Sequence, residues 1–299
     1  MLGGPVTVWA VDQADCPPYR EFVDSHPAAT VYHSLAWRDM LGRAGIGTPR
    51  YLLALRGDEA TGVLPLFEVE RGGRRLLISL PGTPCGGCIA TDPETFWLLG
   101  SRAERLAEQR GATGVLVARF APAAAGVNAG AATGWAEAPA RALLAAGGSD
   151  GLVAAGWQVS VAPLEAGHEV LFHSTPQRQL IAGLLRQPFR NCRPTVGLLR
   201  DGHGRTAAAA LWLLDGVTIH VLALARPRAS AAARRAILAE VARCHADLAD
   251  SRIVFPVRGE AGGEPADVFE TPALRVSHET PLLLSSALQA ANTGPALGL

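Results

Sequence analysis

Apolar and polar positions repeat one order of elements twice along this chain. The first copy runs through residues 51–56, a Gly-Asp-Glu turn, 62–69, a Gly72-Gly73 turn and 76–80. The second runs through 195–200, an Asp-Gly turn, 207–214, an Asp215-Gly216 turn and 217–224. Short β-rich runs joined by glycine-containing turns predict a three-stranded meander in each copy. A helix follows both. The first is announced by Asp92-Pro93, an N-cap with proline at the first helical position. It places Phe96, Leu99, Ala103 and Leu106 on one face. The second begins near Ser230 and sets Leu238, Val241, His245 and Leu248 at the same spacing, as an amphipathic helix over a sheet requires. A short strand then closes each copy, at 114–119 and at 252–256.

The leading elements correspond as well. Residues 6–11 predict a first strand, followed by helices at about 19–23 and 34–43. In the second copy 157–162 is the strand, and one helix follows, opening at Ser174-Thr175-Pro176 and running to about residue 187. Residues 121–156, rich in Ala, Gly and Pro, read as a linker carrying one helix over 138–146. The order β–α–α–β–β–β–α–β, repeated once, predicts an α/β protein with mixed sheets in tandem. The expected domains are 1–125 and 153–299, joined by a linker at 126–152.

Composition narrows the class. Apolar residues make up 48% of the 299 and charged residues 18%, which describes a globular chain and excludes the disordered class. The start carries no basic segment, and Asp12 and Asp15 fall too early for a signal core. The longest apolar run, 207–214, is far short of the ~20 residues of a membrane span. A cytoplasmic protein without a membrane span is therefore expected. The five cysteines are scattered and odd in number, so they imply no disulfide framework. Zero net charge argues against a surface coated for nucleic acid. All 27 basic residues are arginine, which rules out a Schiff-base lysine, a P-loop lysine and a lysine general base.

Within this frame, His26-Pro27-Ala-Ala-Thr30-Val-Tyr32-His33-Ser34-Leu-Ala-Trp37 leads into Tyr51-Leu-Leu-Ala, Gly62-Val-Leu-Pro-Leu, Ser79-Leu80-Pro81 and Gly86-Gly87. In order and spacing these pieces resemble the opening of the Fem-type proteins that accompany exopolysaccharide and cell-envelope systems. They cover roughly residues 20–120. The repeated element order is similar to the core of the GNAT-like fold, copied in tandem in the Fem-type transferases. The resemblance implies an acyltransferase. It would move an acyl or aminoacyl group from a carrier, aminoacyl-tRNA above all, to an amine of a cell-wall precursor or small molecule. No bound cofactor is implied, and tRNA is a possible partner. Two alternatives stand beside it, an acyl-CoA-dependent N-acetyltransferase and a non-catalytic binding or scaffold protein. The second is supported by Arg258-Gly-Glu-Ala-Gly-Gly-Glu264, which stands where such proteins carry a Phe-Lys segment.

Attack of an amine on an ester or thioester needs an oriented acceptor, a proton acceptor and a grip on the donor's phosphates. The helix after each meander can offer free N–H groups to phosphate. At its entrance in the second copy stand Arg226, Arg228 and Ser230, with Arg234 and Arg235 following, and arginine binds phosphate bidentately. Six arginines between 178 and 205, with Phe189 among them and one acid, Asp201, form a second basic stretch that could touch an RNA backbone. His220 and Asp215 are the catalytic candidates, and His33 and His173 the other histidines considered as base. His33 and Trp37, four apart, share a helix face and with Gly86 and Gly87 are the substrate-binding candidates. Cys85-Gly-Gly-Cys88 has metal or redox spacing but no second ligand pair, so it reads as a loop lining a cleft and no metal is expected.

Overall fold

The computed structural model describes residues 4–71, 73–81, 83, 86–113, 115–117, 128–130, 135–146, 158–163, 194–225, 231–248 and 251–256. These divide into two compact units, one within Met1–Arg119 and one within Phe120–Leu274.

The first unit runs β1 (Val6–Ala10), α1 (Pro17–Ser25), a 3-10 turn (Val31–His33), α2 (Leu35–Arg43), β2 (Thr48–Pro49) and β3 (Leu52–Arg56). It continues through β4 (Glu59–Leu64), β5 (Phe67–Arg71), β6 (Arg74–Ser79), β7 (Ile89–Ala90), α3 (Pro93–Arg110) and β8 (Val115–Val117). These strands form two sheets, ordered β1-β3-β4-β7 and β2-β5-β6-β8. The apolar run 62–69, expected as one strand, is therefore two strands in different sheets. Pro65 separates them because it has no N–H to give a ladder. The next carbonyl, Leu66 C=O, is taken by the Arg50 N–H at 2.7 Å. Helix α3 starts where Asp92-Pro93 predicts, with the Asp92 carboxylate accepting the Thr95 N–H at 2.8 Å. Its Leu99, Ala103 and Ala107 pack on Leu52, Ala54, Leu64, Leu66 and Leu77.

The second unit contains β9 (Asn128–Gly130), β10 (Trp135–Pro139), α4 (Ala140–Ala146), β11 (Gln158–Pro163), β12 (Thr195–Arg200), β13 (Thr206–Asp215), β14 (Thr218–Ala225), α5 (Ala231–Arg243) and β15 (Arg252–Pro256). Its described strands form one sheet in the order β11-β12-β13-β14-β15-β10-β9. The stretch 126–152, expected as a linker, thus supplies two strands as well as α4. Ala- and Gly-rich sequence carries little strand signal of its own, and the pairing comes from the free edge of β15, against which β10 runs antiparallel along its whole length. Helix α5 buries Ile237, Leu238 and Val241 against Leu199, Ala210, Trp212, Ile219 and Ile253. It stops at Arg243, so His245 and Leu248, expected on its face, lie in the turn beyond. There the bonding tightens, His245 N–H reaching the Ala242 carbonyl and Leu248 N–H the His245 carbonyl. The helix expected over 174–187 lies outside the described residues.

Strand register shows the repeat in both units. Leu52 faces Leu64 in the first unit as Val196 faces Leu211 in the second. Strand β6 pairs in parallel with β8 through Leu77↔Val115, Ile78↔Leu116 and Ser79↔Val117. Strand β14 pairs in parallel with β15 through Thr218↔Arg252, Ile219↔Ile253 and His220↔Val254. Each parallel ladder is three pairs long, and Ser79 and His220 hold the same final place. The chain break at Leu64/Pro65 likewise matches a milder irregularity, the register shift between Leu211 and Trp212.

Candidate functional site

The site grows from the point where β14 and β15 part. Their ladder ends at His220↔Val254, yet β14 continues to Ala225 and stays paired with β13 through Ala209↔Ala225. On the other side β15 continues to Pro256 and stays paired with β10. The sheet is therefore a fork with both arms braced on their outer edges. Strand backbones point N–H and C=O alternately to either side. Beyond His220 each arm thus turns half of its main-chain groups into the gap, where no described strand meets them.

His220 stands at the apex of the fork. It is 2% exposed, and burial pushes its imidazole down to about 4, because a cation loses its hydration there. The ring is neutral at pH 7. Asp215 closes the β13–β14 hairpin, opposite Thr218, while His220 is opposite Leu213. Partners across an antiparallel pair and residues two apart share a face, so Asp215 and His220 are diagonal neighbours on one side of the sheet. Their Cα atoms are thus roughly 7–8 Å apart. The other side carries Trp212, Ile219 and Val221 under α5. Trp212 is fixed there by donating its indole N–H to His245 Nε2 at 3.0 Å. The structure thus brings the two catalytic candidates together, half-buried Asp215 and buried His220, on the face that α5 does not cover.

The first unit's candidates have other surroundings. His33 is 3% exposed; its Nδ1 lies 3.1 Å from the Thr30 N–H and 3.0 Å from the Thr30 hydroxyl, completing a capping box. Its carbonyl accepts the Tyr19 hydroxyl at 2.9 Å. Trp37 is buried edge-on against Tyr32, with ring centroids 4.8 Å apart. Its N–H is capped by Ser34 Oγ. Gly86 and Gly87 fold back onto the end of β6. A side chain at Gly86 would put its Cβ 2.8 Å from the Ser79 carbonyl oxygen, and Gly87, at φ 111°, donates its N–H to Ser79 Oγ at 2.8 Å. Ser79 Oγ in turn donates to the Pro65 carbonyl at 2.7 Å.

Arg226, Arg228 and Ser230 lie outside the described residues, as do Cys85, His173, Phe189 and the arginines at 178, 186, 190 and 193. Arg234 is on the first turn of α5, and its side chain is likewise outside them. Of the basic stretch, Arg200 donates to the Gly204 carbonyl and Arg205 pairs with Asp201 at 3.0 Å, so both are tied into an exposed turn. Cys88 is half-buried against the first unit's core. Among the described residues no group of three His, Cys, Asp or Glu side chains could hold a metal, and no helix is long and apolar enough to cross a membrane. Sequence reasoning missed the fork itself and Ser79 as its counterpart. A readable signal existed, a lone polar residue in the third meander strand of each copy, Ser79 after Leu-Leu-Ile and His220 before Val-Leu-Ala-Leu.

In fold the chain is similar to the Fem-type and GNAT-like proteins. The crystal structure of FemX superposes with a TM-score of 0.57 at 11% identity, over 89% of this chain and 94% of that one. A conserved protein of unknown function from Bacteroides thetaiotaomicron gives 0.51 at 10% identity, over 84% and 91%. A tandem GNAT protein from the clavulanic acid biosynthesis pathway covers 96% of this chain and 94% of its own, more loosely, at 0.47 and 11% identity. No family model and no curated protein matches the sequence. At such identities the likeness is one of fold.

Proposed function

We propose that this protein is an acyltransferase, moving an acyl or aminoacyl group from a carrier to an amine of a cell-envelope precursor or small molecule in the cytoplasm. The observation that carries this reading is the braced fork with His220 at its apex. In the transfer the amine nitrogen attacks the carrier's carbonyl carbon and loses a proton. The bond from that carbon to the carrier's oxygen or sulfur breaks, and the leaving atom takes up a proton. His220 is the proposed proton acceptor at the apex, neutral and ready to accept but weak, since a base works best with a pKa near the working pH. Asp215, on the same face, is its proposed companion. Arg226, Arg228, Ser230 and Arg234 are the proposed phosphate grip on the donor. His33, Trp37, Gly86 and Gly87 are the proposed acceptor-binding residues.

For the donor, the resemblance of the first third supports aminoacyl-tRNA. A second reading, acyl-CoA, is favoured by the fork. A gap lined by inward-facing main-chain amides accepts an extended chain that carries amides of its own, as a strand is added to a sheet edge, and the pantetheine arm is such a chain. Parallel titration of the purified protein with aminoacyl-tRNA and acetyl-CoA over a salt series separates the readings. Salt-steep tRNA binding supports the first, and binding of acetyl-CoA alone supports the second. Binding of neither overturns the transferase reading in favour of a scaffold.

A further inference from the structure

Resting on that reading of the fork, we infer that the first unit's fork is shut to a carrier by the protein's own chain, so each molecule seats one donor, in the second unit. The registers place the two forks side by side. In the second unit the stretch beyond the ladder, residues 221–225, forms one arm by pairing with the first half of β13. In the first unit no such arm extends, because the chain leaves β6 after Ser79 at Leu80. Leu80 is a buried leucine at φ 49°, a conformation that a bulky side chain rarely adopts. The place beside β4 that the arm would fill is taken by β7, through Gly62↔Ala90 and Val63↔Ile89.

The returning loop is bonded into the apex. Ser79 Oγ, 1% exposed as part of its residue, bridges the Pro65 carbonyl and the Gly87 N–H, at 2.7 and 2.8 Å. Gly86 lies against the Ser79 carbonyl with no room for a methyl group. Thr83 returns both its N–H and its hydroxyl to the Leu80 carbonyl. The main-chain groups that the second unit turns into its gap are thus met, in the first, by the segment just past β6. The neighbouring helix end is closed to anions as well. The Asp92 carboxylate already occupies the N-terminus of α3, with Glu94 beside it and Arg56 paired to both.

Amide hydrogen exchange on the full chain, free and saturated with acetyl-CoA, tests this together with the binding stoichiometry. We expect the Gly87 amide to exchange at least about a hundred-fold more slowly than an open loop. One equivalent of acetyl-CoA should bind, adding protection to 218–225 and 252–256 and none to 76–88. Two equivalents, new protection at 76–88, or a Gly87 amide exchanging at the open-loop rate would each overturn the inference. A chain that binds no acetyl-CoA would remove the donor reading of the fork. The free-chain Gly87 rate would then still decide closure, a slow amide upholding it and a fast one overturning it.

Discussion

In the first unit the third meander strand stops where its parallel ladder stops; in the second it runs five residues further, from His220 to Ala225. Much else that separates the units follows from this. Where β14 goes on, β13 can remain one strand with a shifted register at Leu211/Trp212. Where β6 ends, its neighbour breaks at Pro65 into two strands and the sheet splits in two. One apex holds a serine, a hydroxyl small enough to be saturated by the backbone around it. The other holds an imidazole, which can exchange a proton. The difference teaches that a duplicated scaffold keeps its ladders while the loop after the third strand decides whether the fork between them is filled or left for a ligand.

The largest break of this comparison is expected from Trp212→Ala. Its side chain is 1% exposed and holds α5 to the sheet behind the fork. Removing a buried aromatic of this kind costs about 3–5 kcal/mol, read as a lower urea midpoint for the second unit's signal. An unchanged midpoint would mean that the helix does not depend on it.

Next comes the pH dependence of the His220 apex. Its folded-state pKa of about 4 lies below the ordinary 6.5. The unfolded chain therefore binds the extra proton first, and stability falls as pH drops from about 6.5 towards 4. The loss amounts to about 3 kcal/mol when complete. His220→Phe should flatten that part of the stability profile while raising stability at pH 5 relative to the parent. An identical pH slope in both proteins would show that the imidazole is not held neutral.

For the first fork, Gly86→Ala forces a methyl group onto the Ser79 carbonyl, which is backbone and cannot swing away. A loss of about 1–3 kcal/mol is expected, in line with overpacking at a rigid contact. Gly73→Ala, at a turn with open space around it, carries only the left-handed penalty of about 1 kcal/mol. Equal costs at the two glycines would argue that the loop is not packed on the apex.

Much of this was legible in the sequence. Asp92-Pro93 and the spacing of Leu99 and Ala103 located α3, because a cap and a 3.6-residue period are local signals. The meanders were legible for the same reason. The split at Pro65 was written in the sequence but read through, since the flanking residues are all apolar and the proline alone distinguishes one buried strand from two. The edge strands β9 and β10 were not legible, because alanine and glycine declare no partner and their pairing is set by β15, over a hundred residues away. His33 and Trp37 show the converse. Their helical spacing was read correctly, yet the same spacing serves a capping box and an aromatic core contact.

The smallest expected effect concerns the helix entrances, where the units differ in charge. Asp92 accepts the Thr95 N–H and hydroxyl and the Thr91 hydroxyl, and these bonds, led by the Thr95 N–H, hold its carboxyl below the usual range. The corresponding approach to α5 reads Arg226-Pro227-Arg228. Asp92→Ala should cost about 1 kcal/mol, the ordinary worth of an N-cap. Because the folded pKa is depressed, that contribution is present above the unfolded carboxylate pKa and fades as pH falls below it. The substitution also frees the first N–H groups of α3 without reopening the fork beside it. A loss of stability at neutral pH with acetyl-CoA still binding at one equivalent would place the closure in the loop after β6. A second equivalent would place it in the acidic cap instead.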